Sequence, residues 1–290
     1  MTEPHHHPSR QGRKPAEEDV YALSTPATPP APPRLESVLL PQRQRVDTTE
    51  ELPPPPETFL AGVLRFPWYL QSLTPWVFCS VGLSLSFLGV VLCVWLVDNG
   101  LTMAAYAMRL SVCWVVTFAV CYLSGCFLAI VEGTANGWDE ITEWPGGDWR
   151  DYLMSLRYPV GMLILAALVG TVAHWITFRV SWAVPLAAGF LVYPFFLLSA
   201  MESGSVAGFF SRPILQSYAD CWRDWAVVYG ISGAMLAGWL GWAFWFFPYE
   251  TFFVAALSGP IVAAILFIYA RLLGRLAWQA QEAAAKREAD

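Results

Sequence analysis

The run W-V-F-C-S-V-G-L-S-L-S-F-L-G-V-V-L-C-V-W-L-V, residues 76–97, decides the fold class because it carries no charged side chain. About 20 apolar residues in a helix are enough to cross the hydrocarbon core of a bilayer. Strands of membrane barrels are roughly half as long and alternate between apolar and polar residues. The run therefore predicts a membrane-spanning α-helix.

Composition and five similar runs extend this prediction to most of the chain. The protein is 56% hydrophobic and only 14% charged, whereas soluble domains are about a quarter charged. The six predicted spans cover residues 76–97, 110–131, 160–178, 180–201, 225–247 and 252–273. We predict an all-α polytopic transmembrane helical bundle of six spans, with domain limits at residues 1–58, 59–275 and 276–290.

Residues 1–58 differ in composition from everything that follows. They contain thirteen of the 22 prolines and neither tryptophan nor phenylalanine. Proline runs favour extended polyproline II, and such a composition cannot build a hydrophobic core. We predict a disordered, proline-rich cytoplasmic tail, which is also a candidate docking segment for a cytoplasmic protein.

Basic residues are distributed unequally between the two sides of the predicted spans. Nine lie before span 1, between spans 2 and 3, between spans 4 and 5, and after span 6: Arg65, Arg150, Arg157, Arg212, Arg223, Arg271, Arg275, Lys286 and Arg287. Only Arg109 and Arg179 lie at the opposite boundaries. Because cytoplasmic loops carry the excess of Lys and Arg, both termini are predicted to be cytoplasmic, including the charged tail of residues 276–290.

The longest polar interruption, residues 132–159, reads E-G-T-A-N-G-W-D-E-I-T-E-W-P-G-G-D-W-R-D-Y-L-M-S-L-R-Y-P and shares motifs with other parts of the chain. Y-L-x-S-L precedes a proline at residues 69–75 and again at 152–159, and W-R-D occurs at 149–151 and 222–224. These matches predict an internal repeat of three hairpins. Apolar residues at helical spacing around both W-R-D motifs further predict that a short amphipathic interfacial helix precedes each hairpin.

These interfacial helices have two interpretations. Aromatic rings at headgroup level hold helices at a membrane surface, so the helices serve as anchors. Alternatively, they build a cytoplasmic vestibule or partner-docking face. The candidate interaction residues on that face are Trp149, Arg150, Asp151, Trp222, Arg223 and Asp224.

Three ionisable residues in or beside the spans are weaker candidates. Glu132 and Glu202 lie at the ends of spans 2 and 4, where a carboxylate can reach water. His174 lies in the last third of span 3 and is the one ionisable residue that we expect within the membrane. Ionisable residues at that depth often mark function, although packing is the alternative for a single histidine.

Span 5 carries two rows of small residues in which successive members are four residues apart. The rows are Gly230, Ala234, Gly238 and Gly233, Ala237, Gly241. Small residues at this spacing allow helix backbones to approach closely. We therefore predict close helix packing along span 5.

Signatures of catalysis and metal binding do not occur in the sequence. The serine of G-S-V-A-G at residues 204–208 is misplaced for a nucleophile elbow, and neither H-E-x-x-H nor a phosphate-binding loop is present. The six cysteines contain no C-x-x-C pair, and a net charge of −6 with only two lysines does not suit nucleic acid. We predict no catalytic residue, no cofactor, no metal site and no nucleic-acid partner.

Three stretches carry a resemblance to known proteins. N-G-W-D-E-I-T-E-W-P-G-G-D-W-R-D-Y, Y-P-F-F-L-L-S-A-M-E-S-G-S and W-R-D-W, in this order, resemble uncharacterised bacterial polytopic membrane proteins of the domain-of-unknown-function kind. More distantly, the layout resembles Yip-type helical bundles, which have a cytoplasmic N-terminal tail. The resemblance covers about residues 60–275 and implies a fold and a bacterial inner cell membrane, but no activity.

Three classes of function stay open. The first is a non-enzymatic scaffold or accessory protein that engages the lipid bilayer or a partner on its cytoplasmic face. The second is a small-solute transporter or channel subunit, favoured by the repeat and by the prolines Pro185 and Pro194 of span 4. The third is an intramembrane enzyme without a recognised motif. A polar cavity that reaches the bilayer midplane favours the second class.

Overall fold

A computed structural model of the protein describes residues 59–138, 140–141, 144–146, 149–177, 181, 183–247 and 250–289. The predicted proline-rich tail of residues 1–58 lies outside these ranges, and so does the side chain of Trp149. All regular structure within the described residues is helical. The predicted all-α class is therefore confirmed.

Six of the helices are long and apolar enough to cross a membrane. The described structure consists of a 3-10 helix, Phe66–Trp68, followed by α1 (Leu70–Asp98), α2 (Thr102–Ala135), α3 (Trp149–Ile176), α4 (Ala183–Ser203), α5 (Arg212–Asp220), α6 (Trp222–Phe246) and α7 (Thr251–Ala289). All of the α-helices except α5 qualify as spans. The prediction of six spans is confirmed, and the chain has the architecture of a multi-pass membrane protein.

The short helix predicted before each hairpin is separate only before α6. There α5 forms a helix of its own, with a proline in its first turn where the missing N–H costs nothing. Before α3 the interfacial stretch and the span form one continuous helix. Before α1 the chain forms only the 3-10 turn, since Tyr69 adopts an extended conformation between that turn and α1.

The last helix is much longer than a membrane is thick. α7 contains 39 residues, which corresponds to about 58 Å, whereas the hydrocarbon core measures about 30 Å. The helix therefore continues through the predicted boundary at residue 275. Residues 276–289, predicted as a tail, belong to α7.

α7 is the central helix of the bundle. It packs along α1 and α2 and also contacts α5 and α6, while α3 and α4 pack against each other and α3 borders α2. Glycines permit the close approach of α7 to its neighbours. A Cβ atom at Gly259 would lie 2.6 Å from the carbonyl oxygen of Ser80 on α1, and one at Gly274 would lie 2.8 Å from that of Val131 on α2.

The two ends of the bundle differ in packing. We call the end with the 3-10 helix, α5 and the C-terminal ends of α2, α4 and α7 the cap end, and the opposite one the far end. Apart from Ala105, the buried residues of α2 lie between Cys121 and Thr134, and those of α4 between Pro194 and Ala200. The hydrophobic core is therefore concentrated in the half of the bundle next to the cap end.

The predicted close packing along span 5 is wrong within the chain. A Cβ atom at Gly230, Gly238 or Gly241 would meet nothing within 4 Å, and one at Gly233 would only touch Phe190 at 3.8 Å. The buried residues of α6 are instead Trp225, Val228 and Ser232. These larger side chains form the face of α6 that turns inward, so most of the small-residue rows are left unpacked.

Candidate functional site at the cap end

Two arginines are buried on one face of α7 at the cap end. Arg271 is 2% exposed and Arg275 is 8% exposed, and their spacing of one helical turn places both side chains on the same face. A buried guanidinium is costly unless its donors are satisfied. Both side chains donate hydrogen bonds to acceptors that are distant in sequence, as described below. We call the two residues the arginine clamp.

Arg275 holds the segment that leads into α1. Its Nη1 and Nη2 atoms donate hydrogen bonds of 2.6 Å to the carbonyl oxygens of Phe59 and Ala61. Gly62 follows with a positive φ of 73°, and Val63 is fully buried. The guanidinium thereby fixes the first residues of the described chain against the end of α7.

Arg271 holds the chain that leaves α2. Its Nη1 donates to Thr134 Oγ1 at 3.3 Å and to the carbonyl oxygen of Trp138 at 3.4 Å. Its guanidinium carbon also lies 4.8 Å from the ring centroid of Phe66, within the range of a cation–π contact. Arg271 thus connects α2, α7 and the 3-10 helix.

The described part of the polar interruption folds back onto the bundle. Ile141 is buried, and the ring of Trp144 stacks on Phe267 of α7 with a centroid distance of 6.2 Å. The Tyr152 hydroxyl donates to the carbonyl oxygen of Pro145 at 2.9 Å. This loop closes the cap end of the core, so it is more than a surface anchor.

The two W-R-D motifs occupy equivalent positions within their own helices. They form the first three residues of α3 and of α6, so Asp151 and Asp224 stand in first turns, where the helix dipole favours an acid. α3 packs mainly on α4 and α2, whereas α6 packs mainly on α7. The two motifs therefore belong to different helix pairs of the cap end.

Exposure differs within the predicted interaction face. Asp224 is half-buried, whereas Arg150, Asp151 and Arg223 are exposed and Trp222 is 59% exposed. The Arg223 guanidinium lies 5.6 Å from the ring centroid of Trp222. These side chains are accessible to a partner or to headgroups, and their role in docking stays a prediction.

Contacts between α5, α6 and α7 complete the cap end. The ring of Tyr218 stacks on Trp225 at 3.9 Å, and the Trp225 indole nitrogen donates to Ser217 Oγ at 3.1 Å. Arg287 near the end of α7 pairs with Asp220 at 3.2 Å. The C-terminal turns of α7 are thereby joined to α5.

Glu132 and Glu202 line one cavity of about 240 Å³ between α2, α4, α5 and α7. Both side chains are exposed, and Glu202 accepts a hydrogen bond from the hydroxyl of Ser211. His174, the third of the weaker candidates, is half-buried near the C-terminal end of α3, at the far end. The structure thus brings the two glutamates together and leaves the histidine apart.

No family model, curated protein or solved structure matches this chain. The resemblance to bacterial polytopic proteins and to Yip-type bundles therefore stays a prediction. Within the described residues, no group of three or more His, Cys, Asp or Glu side chains is arranged to hold a metal ion. The role of the cap end is therefore inferred from the geometry of its residues.

The arginine clamp is the part of this site that the sequence analysis missed. From the sequence alone, Arg271 and Arg275 indicate only orientation, and His174 is the one ionisable residue predicted within the membrane. The available signal was the spacing of four residues at the end of an apolar run. That spacing indicates a shared helix face, but it does not distinguish a face toward water from a face toward the core.

The thiol of Cys221, between α5 and α6, is expected to react slowly with a water-soluble maleimide. Burial raises the pKa of this thiol, and the carboxylates of Asp224 and Asp220 raise it further against the opposing effect of Arg287. Since the thiolate is the nucleophile, labelling at pH 7.5 should be several-fold slower than at an exposed cysteine. The rate should continue to increase as the pH rises toward the raised pKa.

The matched control is a Trp222→Cys variant with Cys221 replaced by serine, because residue 222 is exposed. Stopped labelling reactions analysed by mass spectrometry give both rates. Equal rates at pH 7.5 would contradict the burial of Cys221.

Proposed function

We propose that this protein is a non-enzymatic membrane scaffold or accessory protein that engages lipid headgroups or a protein partner at its cap end. The cap end faces the cytoplasm of a bacterial cell, and the bundle lies in the inner membrane. Residues 1–58 serve as a proline-rich docking segment.

The observation that carries this proposal is the arginine clamp. Arg275 binds the carbonyl oxygens of Phe59 and Ala61, so the residues that directly follow the N-terminal tail in sequence are fixed. They lie at the same end as α5, the last turns of α7 and the exposed Trp222. A segment attached at a fixed point has a high effective concentration near the surface beside it.

The composition of the core supports the same proposal. The buried polar side chains of the described residues are serines, Thr134, Arg271 and Arg275, with no carboxylate among them. Proteins that transport or conduct ions usually contain ionisable residues within their spans. Here both buried charges serve to hold neighbouring segments of the cap end.

The dimensions of α7 support the orientation. Arg271 follows Thr251, the first residue of α7, by about 30 Å of helix, which is the thickness of the hydrocarbon core. The clamp therefore lies at the membrane boundary on the side that holds nine of the eleven basic residues counted above. This asymmetry is typical of the cytoplasmic side.

A C-terminal fusion tests this orientation. In bacterial cells, green fluorescent protein fused to the C-terminus is expected to fluoresce, and alkaline phosphatase fused there is expected to be inactive. The same enzyme inserted between α1 and α2, after Gly100, is expected to be active. Active phosphatase at the C-terminus would overturn the assignment of the cap end to the cytoplasm.

Photo-crosslinking in cells tests the docking function. We expect p-benzoylphenylalanine in place of Trp222 to crosslink a discrete cytoplasmic protein or the headgroup region of lipids. The control position is Trp245 at the far end, which is 74% exposed and should crosslink lipid but no cytoplasmic protein. A protein adduct at Trp222 that disappears on deletion of residues 1–58 supports docking through the tail. Identical adducts from both positions would refute a specialised cap end.

One observation favours the small-solute transporter or channel subunit as a second candidate. The cavity shared by Glu132 and Glu202 also contacts Leu198, a residue 3% exposed within the packed part of α4. For transport, this site must become accessible to water from both sides of the membrane. We would place a cysteine at Leu198 in a cysteine-free background and label it with an impermeant maleimide. Labelling from both sides supports transport, and labelling from the cap side alone supports the scaffold.

A further inference from the structure

A cavity of about 830 Å³ lies between α1, α6 and α7 in the half of the bundle next to the far end. It forms because α1 and α6 both pack on α7 but are not extensively packed on each other. The volume falls in the range of about 300–1,000 Å³ that is common for small-molecule sites. It is too small to enclose a phospholipid with two long acyl chains.

The walls of this cavity are mostly apolar and aromatic. Val254, Ala255 and Ser258 of α7 form a buried floor. Trp95 of α1 and Trp239 of α6 stand on opposite sides of it, and the Trp239 indole nitrogen lies 3.4 Å from Ser258 Oγ as a hydrogen-bond donor. The rings provide both an apolar surface and π faces that attract organic cations.

Two carboxylates line the same cavity where it meets the far end. They belong to Asp98, the last residue of α1, and Glu250, which directly precedes α7. No basic residue is among the lining residues. In the described part of the chain, neither carboxylate forms an ion pair.

The position of Asp98 increases the negative potential further. Helix C-termini carry a partial negative charge and favour cations, so an aspartate in the last turn of α1 is unfavourable for the helix itself. Packing gives no reason for this residue, since its side chain is exposed. A positively charged ligand would be attracted by the helix end and by both carboxylates.

We infer that this cavity binds a membrane-soluble organic cation, with its ammonium group between Asp98 and Glu250 and its apolar body between Trp95 and Trp239. The negative charges of Asp98 and Glu250 repel anionic amphiphiles. The apolar lining selects against small hydrated cations, which would lose their water shell there. This inference concerns the far end and does not depend on the function proposed for the cap end.

The test is equilibrium binding of radiolabelled dodecyltrimethylammonium to the full chain in phosphatidylcholine nanodiscs. We expect saturable binding that dodecyl sulfate and dodecanol displace poorly. The double variant Asp98→Asn/Glu250→Gln should bind roughly fivefold to tenfold more weakly, because each exposed ionic contact adds a modest amount to affinity. The matched control, Glu140→Gln/Glu282→Gln, removes the same charge from exposed residues at the cap end and should bind like the native protein.

A second variant tests the cavity rather than the charge. Ala255→Phe fills the floor and is expected to abolish saturable binding while circular dichroism and gel filtration stay native. If this variant does not fold, the exposed charge variants still decide the outcome. The inference is overturned if the native protein shows no saturable binding, if Asp98→Asn/Glu250→Gln binds as tightly as the native protein, or if dodecyl sulfate competes as well as the cation.

Discussion

Replacing Arg275 with methionine is expected to lower the thermal stability of the purified protein by about 3 kcal/mol, or roughly 5–10 °C in apparent Tm. Arg275 is 8% exposed and donates to the carbonyl oxygens of Phe59 and Ala61. Methionine fills much of the same volume but leaves both carbonyl oxygens without their donors. Thermal unfolding in detergent, followed by circular dichroism, gives the magnitude.

Two further variants separate the clamp from a general effect of charge. Arg275→Lys keeps the positive charge but cannot present the planar guanidinium to two carbonyl groups, so its Tm should be intermediate. Arg223→Met removes an exposed arginine and should change the Tm by less than about 2 °C. If Arg223→Met and Arg275→Met lower the Tm equally, the clamp has no special role.

A leucine at Gly259 is expected to prevent the normal packing of α1 on α7. A Cβ atom at this position would lie 2.6 Å from the Ser80 carbonyl oxygen, which is too close for any side chain. The helices must separate, and this separation also breaks the nearby hydrogen bond that Ser84 Oγ donates to the Ala256 carbonyl oxygen at 2.7 Å. Overpacking costs about 1–3 kcal/mol or more, so we expect a large loss of monodisperse protein on gel filtration.

The chain contains a matched control for this substitution. Gly238 lies in α6, and a Cβ atom there would meet nothing within 4 Å. Gly238→Leu adds the same side chain to another membrane helix and should leave yield and Tm nearly unchanged. Equal damage from both substitutions would mean that α6 is packed as tightly as α7.

The six spans were predictable because each depends on a local property of the sequence. An uncharged run such as residues 76–97 can be stable in a membrane only as a helix, whatever its neighbours are. The two W-R-D motifs were also informative, since each begins a spanning helix. Exact boundaries were less predictable, as the extension of α7 to Ala289 shows.

The cap end was less predictable because it depends on contacts between distant segments. Arg271 and Arg275 are long enough to reach water or to turn inward. The acceptors that hold them inward belong to Trp138 and Phe59, more than 130 residues away in the chain. No pattern within α7 alone contains that information.

The small-residue rows of α6 show a related limit. Gly230 and Gly238 fit the spacing that allows close helix contact, but the pattern does not state which face of a helix meets a neighbour. Trp225 and Val228 bury a larger surface, and they set the orientation of α6 against the bundle. The face of α6 that carries Gly230 and Gly238 therefore points away from the neighbouring helices.

The central position of α7 has a consequence for the biosynthesis of this protein. Its contacts with α1 join residues as far apart as Ser84 and Ala256, and α7 leaves the ribosome after both α1 and α2. Until it is inserted, α1 lacks its main neighbour, α2 lacks one of its two main neighbours, and Phe59 and Ala61 lack their donor. The nascent protein must therefore pass through a partly assembled state in the bilayer, and we expect chains that stop before residue 251 to misassemble.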